Sequence, residues 1–339
     1  MKYHTFLIWG IFLFTSCTSE YLDHIRREST PIVSQVWSWW SISGTLSALP
    51  DKEVLMGLID TIDTAKTRIW VEIYTWTEKW TLEAILSAKR RWVDVRVILE
   101  GNVYMTPRIN DPTIDRLRSA RIPFAYADNH NYSFTHIKTW IIDNRWCVST
   151  GNWTYTSFTK NREFTYCSED IRILHDLIEI FDADFHHVKP YLPDGLDHRI
   201  GLASENIRPW IYSRIESAKN TIILYNQTIS DQGILDLLSK KIRDWVTVEI
   251  CQADRGDESS GASISVSYPW LIAYTSKKPY LHAKVFLIDG EDVILGSANM
   301  TTNAIDHNRE ILIDIWKNKD AYDTISRLYH KDCHSSSLK

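Results

Sequence analysis

Residues 136–143 are HIKTWIID and residues 282–289 are HAKVFLID. Both stretches follow the pattern His-x-Lys-x-x-x-x-Asp. Between Lys and Asp both contain only apolar or β-branched residues, which is typical of a buried strand. Because one chain contains this pattern twice, we interpret it as part of an internal repeat. A repeat of this size indicates two similar structural units.

The repeat continues downstream of each Asp. The first copy continues with STGN at 149–152 and Asn-Arg-Glu at 161–163. The second copy continues with GSAN at 296–299 and Asn-Arg-Glu at 308–310. The order is the same, and the separation between the last Asn of the polar segment and the Glu is identical in the two copies. The one difference is a turn after the Asp that is one residue shorter in the first copy.

The elements predicted upstream of each motif also occur in the same order. Each motif is preceded by a predicted strand, helix and strand, at 69–74, 82–91 and 93–99 in the first half and at 221–225, 234–243 and 246–250 in the second. We therefore predict an α/β fold with two similar halves, each a mixed β-sheet flanked by helices. The predicted boundaries are 31–187 for the first half, 188–201 for a linker rich in Pro and Gly, and 202–333 for the second half.

The His-x-Lys spacing has a chemical meaning. Residues i and i+2 of a strand point to the same face, so His136 lies beside Lys138, and His282 beside Lys284. Two such sets that face each other surround a phosphate with cations and place an imidazole on each side of it. This arrangement suits in-line displacement at phosphorus, in which one His attacks and the other donates a proton to the leaving oxygen.

Glutamates and amides complete the predicted site. An imidazole that attacks or donates a proton needs its second nitrogen held by an acceptor, and Glu163 and Glu310 are at matched positions to do this. Asn152 and Asn299 add neutral donors after each turn. The alternative for the two Asn-Arg-Glu segments is a capping role at helix N-termini. The Ser-rich segment 253–279 is predicted to form a loop over the second half of the site.

The doubled His-x-Lys-x-x-x-x-Asp pattern, with its trailing Gly-Ser-x-Asn and Glu, resembles the phospholipase D superfamily, also called the HKD family. The resemblance covers roughly residues 52–332. It implies a pseudo-twofold relation between the halves, one active site, a phosphohistidine intermediate, and no metal or other cofactor.

The resemblance also implies a role for each matched residue. It makes His136 the nucleophile and His282 the general acid. The catalytic set is completed by Lys138, Lys284, Asp143, Asp289, Glu163 and Glu310, the two aspartates being structural members of the motif. The expected phosphate-binding residues are Asn152, Asn299, Ser297 and Thr150. The first half departs from the family pattern because it has Ser-Thr-Gly-Asn and a shorter turn, with Thr150 in the place equivalent to Ser297.

Composition limits the function classes. The chain has 339 residues and a net charge of −5, which gives no overall attraction to nucleic acid or to an anionic membrane. We favour a phospholipid substrate, with either phospholipase D-type hydrolysis or transfer of the phosphatidyl group. A metal-independent nuclease with the same residues is the first alternative, and a catalytically silent surface binding module is the second. The oligomeric state does not follow from the sequence.

The N-terminal residues predict export. Lys2 precedes an apolar run at 6–14, and small residues then lead to Cys17. The run is too short to span a bilayer as a helix and resembles a bacterial lipoprotein signal, in which the cysteine is acylated. We therefore predict a signal at 1–17, lipidation of Cys17, and a lipoprotein at the cell membrane or a secreted protein. A plain cleaved signal and an uncleaved anchor or buried helix are the alternatives.

Four further cysteines remain, Cys147, Cys167, Cys251 and Cys333. Their spacing fits no zinc-binding pattern. Pairing into disulfides is open to an exported protein, but we interpret these residues as isolated, partly buried thiols.

Tryptophan is unusually frequent, with 15 Trp against 12 Gly. Trp92 and Trp245 each fall between a helix and the next strand, at a position that is usually left-handed and favours glycine. Trp146 is predicted to lie in the turn of the first motif, which is also a place for glycine. We hypothesise that TGA codons, which the source organism would read as glycine, are represented here as Trp.

Overall fold

The computed structural model describes residues 43–203, 205–254, 268 and 270–334. These residues form two mixed β-sheets flanked by helices, one in each half of the repeat. This arrangement confirms the predicted α/β class with two similar halves. The predicted signal at 1–17, with its Cys17, lies outside the described residues.

The first half contains seven strands of the first sheet. The strands are β1 (Gly44–Leu49), β2 (Arg68–Ile73), β3 (Asp94–Leu99), β4 (Phe124–Tyr126), β5 (Lys138–Ile142), β6 (Arg145–Ser149) and β7 (Asn161–Ser168). The helices are α1 (Lys52–Thr64), α2 (Lys79–Arg90), α3 (Asp111–Ser119), α4 (Tyr155–Thr159) and α5 (Ile171–His186).

The second half repeats this order with small changes. Its strands are β8 (Ile200–Leu202), β9 (Thr221–Asn226), β10 (Thr247–Ala253), β11 (Ile272–Ser276), β12 (Tyr280–Leu281), β13 (Lys284–Ile288), β14 (Asp292–Gly296) and β15 (Ile311–Asp314). Its helices are α6 (Ile207–Ser217), α7 (Gln232–Arg243), α8 (Thr302–Asp306) and α9 (Lys319–Tyr329), followed by a π-helical turn (His330–His334).

The motif strands β5 and β13 lie inside their sheets. The strand orders are β1-β7-β6-β5-β2-β3-β4 and β11-β10-β9-β13-β14-β15-β8. Strand β5 pairs antiparallel with β2 and β6, and β13 pairs antiparallel with β9 and β14. Every residue of both motif strands is buried. This burial explains why the motif strands are continuously apolar rather than alternating.

The strands predicted around both motifs are confirmed, whereas the helix-cap alternative for the Asn-Arg-Glu segments is wrong. The first segment begins β7, and the second directly precedes β15. The segment 253–279 is not a loop throughout, because Ile272–Ser276 forms β11, parallel to β10. Residues 255–267 and 269 of that segment lie outside the described residues.

Helices α2 and α7 end in the way that the sequence predicts. The backbone N–H of Val93 donates to the carbonyl of Ala88, as that of Val246 does to Lys241, which closes the last turn of each helix. The residues just before these, Trp92 and Trp245, have φ of 68° and 67°. The left-handed position is thus confirmed, and both indoles are more than 90% exposed. The codon hypothesis for these two positions stands, and TGG codons there would end it.

Trp146 does not fit that hypothesis. It is the second residue of β6, its side chain is fully buried, and its indole N–H donates to the carbonyl of Asp170 at 3.1 Å. The turn before β6 contains Asp143, whose φ is 52°. The prediction that Trp146 stands at a glycine-like turn position is therefore wrong, because the turn ends earlier than the sequence pattern indicated.

The cysteines are paired, so the interpretation as isolated thiols is wrong. Cys147 and Cys167 lie directly opposite each other on the adjacent strands β6 and β7 and form a disulfide. Cys251, in β10, is bonded to Cys333 in the C-terminal π-helical turn. The paired cysteines are 20 and 82 residues apart in the sequence, and the fold brings them together. The cysteine spacing alone does not reveal this pairing.

Among the described residues, no helix is long and apolar enough to cross a membrane.

Candidate active site

Each motif is held by backbone hydrogen bonds to the other half. The backbone N–H of His136 donates to the carbonyl of Arg309 at 2.8 Å, and that of Arg309 donates to Phe134 at 2.7 Å. In the same way, the N–H of His282 donates to the carbonyl of Arg162 at 3.2 Å, and β12 pairs parallel with β7. These reciprocal bonds bring both motifs to one place between the sheets.

The histidines are therefore bonded to glutamates of the opposite half. Nδ1 of His136 lies 2.9 and 3.0 Å from the two carboxylate oxygens of Glu310. Nδ1 of His282 lies 2.7 Å from Oε1 of Glu163. Both carboxylates are fully buried. With Nδ1 donating its proton to a carboxylate, Nε2 carries the lone pair and is the nitrogen able to react.

Further donors hold the two glutamates in place. Asn161 donates to Glu163 at 3.3 Å, and Asn308 donates to Glu310 at 3.0 Å. Burial by itself raises the pKa of both carboxyls. The facing histidine, through its charge when it is protonated and through its hydrogen bond, and the charge of the lysine beside it outweigh burial and hold the pKa of each carboxyl below its ordinary value. Both glutamates are therefore anions at neutral pH.

Burial also lowers the pKa of the two histidines. It lowers the pKa of His136 to about 4, against the opposing charge of Glu310, and lowers the pKa of His282 against that of Glu163. Both imidazoles are neutral at pH 7 in the free protein. A neutral imidazole whose Nδ1–H is bonded to a carboxylate is suited to nucleophilic attack through Nε2.

The motif lysines are completely buried beside the histidines. Nζ of Lys138 donates to the carbonyl of His136, and Nζ of Lys284 donates to the carbonyl of His282 and to Oε1 of Gln227 at 3.1 Å. Burial lowers the pKa of Lys138. Two buried lysines beside the histidines are placed to stabilise the negative charge of a phosphate, because the surrounding medium is poorly polarisable.

The amide residues differ between the halves. Nδ2 of Asn299 donates to Oε1 of Gln227 at 3.3 Å, and its own Oδ1 is buried without a hydrogen-bond partner. Oδ1 of Asn152 accepts from the backbone N–H of Thr75 at 3.3 Å. Asn299 thus lies next to Lys284 through their shared acceptor Gln227, whereas Asn152 is bonded to the chain after β2.

The hydroxyls predicted to bind phosphate lie behind the glutamates. Thr150 donates to Oε2 of Glu163 at 2.7 Å and accepts from the N–H of Phe164 at 3.0 Å. Ser297 accepts from the N–H of Ile311 at 2.9 Å and hydrogen-bonds Glu310. In this arrangement both hydroxyls orient the glutamates, and the shorter turn of the first half does not displace Thr150 from the place equivalent to Ser297.

The motif aspartates lie at the far ends of their strands from the histidines. Asp143 accepts hydrogen bonds from the backbone N–H groups of residues 66–68 and from the hydroxyl of Thr67. Although burial raises the pKa of Asp143, these bonds lower it overall. Asp289 accepts from the N–H groups of residues 219–221. Both residues fix the loop that enters the neighbouring strand, as expected for structural members.

A family model described as the PLD-like domain of cardiolipin synthase matches residues 58–185 and 211–332. The chain belongs to the phospholipase D superfamily. The matched residues include both HKD motifs, both polar segments and both glutamates of the site described above.

A curated relative and solved structures of the same fold are also similar to this chain. The chain is 31% identical over 143 residues to cardiolipin synthase 1 of Bacillus cereus, which covers 40% of this chain and 28% of that protein. It therefore spans less than a third of the length of that curated relative. Phosphatidylserine synthase of Haemophilus influenzae has the same fold, with a TM-score of 0.66, 10% identity and coverage of 92% of this chain and 91% of that one. Polyphosphate kinase of Porphyromonas gingivalis also has a TM-score of 0.66, with 17% identity and coverage of 85% and 47%.

Two ion pairs that were not predicted from the sequence support this HKD site. Arg162 donates to Asp332 at 2.6 Å, and Arg309 donates to Asp184 at 2.9 Å. Each arginine directly precedes a site glutamate, and each aspartate comes from the end of the other half: Asp184 from the last turn of α5, and Asp332 from the π-helical turn after α9. The repeated Asn-Arg-Glu triplet was the available signal, but only the fold shows which carboxylates return to the arginines.

Tyr74 and Gln227 were also not predicted as residues of the site. The first residue follows β2 and the second follows β9, so they occupy equivalent positions beside the two motifs. The ring of Tyr74 is 4.8 Å from that of His136, and burial raises the pKa of its hydroxyl to about 12. Because the two residues differ in type, the repeat did not draw attention to them.

Proposed function

We propose that this protein cleaves a phospholipid phosphodiester through a covalent phosphohistidine, either with water as acceptor, as in a phospholipase D, or with transfer of the phosphatidyl group to an alcohol. The observation that carries this proposal is the pair of crossed His–Glu contacts. They place two imidazoles of one site, each held through Nδ1, beside two buried lysines.

In the first step, Nε2 of His136 attacks phosphorus while the bond to the leaving alcohol breaks on the opposite side. His282, in its protonated form, gives its proton to that oxygen, so that the alcohol leaves neutral. Lys138 and Lys284 stabilise the charge on the non-bridging oxygens, with the side-chain amides of Asn152 and Asn299 as neutral donors. In the second step, neutral His282 takes a proton from water or an acceptor alcohol, which displaces His136 from phosphorus.

This mechanism requires one protonated imidazole, although both have lowered pKa values in the free protein. The negative charge of the bound phosphodiester favours this protonation, because an anion close to an imidazole raises its pKa. The substrate therefore promotes the protonation of its own general acid.

The phospholipid substrate is supported by the relatives. The matching curated protein is named a cardiolipin synthase, and a structure of the same fold that spans nearly the whole chain is named a phosphatidylserine synthase. Both names refer to enzymes of phospholipid synthesis. Transfer and hydrolysis share the phosphohistidine and differ only in the acceptor of the second step.

We further propose that the protein is exported and anchored through Cys17. Two disulfides, Cys147–Cys167 and Cys251–Cys333, are typical of proteins that fold in an oxidising compartment. If Cys17 is acylated, the protein should partition into a detergent phase and Cys17→Ser should release it. An unchanged partition would contradict lipidation.

The proposed activity can be tested with four substrates in EDTA: phosphatidylcholine, phosphatidylglycerol, single-stranded DNA and a bis-aryl phosphodiester. We expect cleavage of phospholipid and of the aryl diester without added metal, because Lys138 and Lys284 supply the charge that Mg²⁺ supplies in other phosphoryl transfer enzymes. Among the described residues, no group of three or more His, Cys, Asp or Glu could hold a metal ion. Activity that EDTA abolishes and a divalent ion restores would contradict the proposal, and cleavage of DNA alone would replace phospholipid by nucleic acid.

A further inference from the structure

Two pairs of equivalent residues flank the two histidines with opposite chemistry. Tyr74 and Gln227 follow the equivalent strands β2 and β9, and Phe134 and Tyr280 each lie two residues before a motif histidine. In the first half the two rings meet edge to face, with centroids 6.1 Å apart. In the second half Nε2 of Gln227 and the hydroxyl of Tyr280 are hydrogen-bonded at 3.1 Å.

On the first side, aromatic contacts continue outward from the catalytic centre. The ring of Tyr74 lies 4.8 Å from His136 and 5.4 Å from Nζ of Lys138. Its hydroxyl accepts from the backbone N–H of Tyr104 at 2.8 Å, and the ring of Tyr104 packs against Phe134 at 6.3 Å. We call Tyr74, Phe134 and Tyr104 the aromatic wall.

The wall ends in apolar side chains that are unusually exposed. Tyr104 is 70% exposed, and the next residue, Met105, is 83% exposed. An aromatic ring and an unbranched thioether at the mouth of a catalytic site form a flexible apolar contact surface. Its continuity with His136 indicates that it meets part of the substrate.

The second side is polar where the first is aromatic. Gln227 accepts from Lys284 and Asn299 through Oε1 and hydrogen-bonds Tyr280 through Nε2. Gln227 is thus a positioning residue for two groups that bind phosphate. An amide and a phenol hydroxyl offer hydrogen bonds to a polar alcohol, which an apolar substituent does not use.

We infer that these two surfaces sort the two substituents of the phosphodiester: the acylated glycerol lies along the aromatic wall, and the polar alcohol lies against Gln227 and Tyr280. This inference rests on the proposed function, since it names the sides on which a phospholipid would bind. It agrees with attack by His136, because the alcohol then leaves on the side of His282.

The test compares a diacyl phospholipid with its deacylated glycerophosphodiester, which has the same headgroup, at matched concentrations in mixed micelles. The variant is Tyr104→Ser. Because Tyr104 is largely exposed, this substitution should not prevent folding. We expect the ratio of kcat/KM for the diacyl substrate to that for the deacylated one to fall about tenfold, as when one apolar contact is removed from a binding site. The matched control is Ile171→Ser. Ile171 is 59% exposed at the start of α5, whose other end lies near Arg309, and its substitution should leave the ratio unchanged.

A second variant examines the polar side. Tyr280→Phe keeps the ring but removes the hydroxyl, so it should alter the preference among headgroup alcohols and leave the dependence on acyl chains in place. An equal decline of both substrates in Tyr104→Ser would overturn the inference but not the proposed function. A selective loss of single-stranded DNA cleavage in that variant would mean that the wall stacks bases, and would overturn the lipid assignment. Absence of all phosphodiester cleavage by the unsubstituted protein would overturn the proposed function and the inference with it.

Discussion

The two halves differ in how their site-supporting arginines are neutralised. Arg309 contacts two carboxylates, Asp184 and Glu205, at 2.9 and 2.7 Å. Arg162 contacts Asp332, which also accepts a hydrogen bond from the hydroxyl of Tyr225. The His, Lys, Asn and Glu of the site, in contrast, are the same residue types in both halves. The reacting groups thus follow the repeat, while their surroundings have diverged.

This difference shows which features the repeat requires. Because each histidine is bonded to a glutamate of the opposite half, a change to one motif glutamate affects the other half's histidine. The chemistry therefore keeps both halves alike at these positions. The surrounding residues do not take part in these crossed contacts, so they are able to differ.

The largest effect is expected from the histidines. His136→Ala and His282→Ala should each lower turnover by about 10³-fold or more, since each imidazole acts in a separate chemical step. Steady-state kinetics with a phospholipid and circular dichroism of the folded variants would measure this. Near-normal activity of either folded variant would show that the halves are not equivalent partners in one site.

The crossed contacts give the next prediction. Glu310→Gln and Glu163→Gln should each lower kcat by about 10²-fold, because the amide no longer stabilises an imidazole that becomes positively charged. The two effects should differ in kind. With a substrate whose leaving group needs no acid, Glu163→Gln impairs His282 and should slow breakdown of the intermediate, whereas Glu310→Gln impairs His136 and should slow its formation. Rapid-quench measurement of the phosphoenzyme would separate them, and the reverse pattern would contradict the crossed assignment.

The pH dependence follows from the lowered pKa values of both histidines. Burial lowers the pKa of His136 to about 4, so the nucleophile stays neutral as the pH falls well below 6. The pKa of His282 is also lowered, so its protonated form is lost as the pH rises through that lowered value. The maximum of kcat/KM should therefore lie below the ordinary histidine pKa of about 6.5. A maximum at or above neutral pH would contradict this account of the free enzyme.

The disulfides give the smallest expected difference between the halves. Chain entropy predicts a loss of about 3 kcal/mol for Cys147→Ser/Cys167→Ser and about 4.5 kcal/mol for Cys251→Ser/Cys333→Ser, because the second bond closes the longer loop. Equilibrium unfolding in denaturant would give both values. If removal of the Cys147–Cys167 disulfide proved the more destabilising, packing around β6 and β7 would contribute more to stability than chain entropy.

Much of this fold was predictable because the repeat could be compared with itself. The motif strands, the strand–helix–strand units before them and the left-handed positions of Trp92 and Trp245 all follow from local patterns. The sequence also indicated which motif residues lie beside His136 and His282, because spacing within each motif is a local property.

The remaining features depend on contacts between distant parts of the chain. Glu310 holds His136 across 174 residues, and no pattern within either half indicates that the pairs cross rather than stay within a half. The same reason explains the missed disulfides and the missed return of Asp332 to Arg162. Trp146 was misplaced because a turn one residue shorter moved it into β6.

The central claim is that the halves form one site in which His136 attacks and His282 transfers protons. It is tested most directly by trapping the covalent intermediate on His282→Asn with a substrate whose leaving group needs no acid. Hydrolysis then lacks its base, so phosphohistidine should accumulate at His136 and be located there by mass spectrometry of the peptides. An adduct on His282 in the His136→Asn variant, together with no adduct on His136 in the His282→Asn variant, would contradict the assignment.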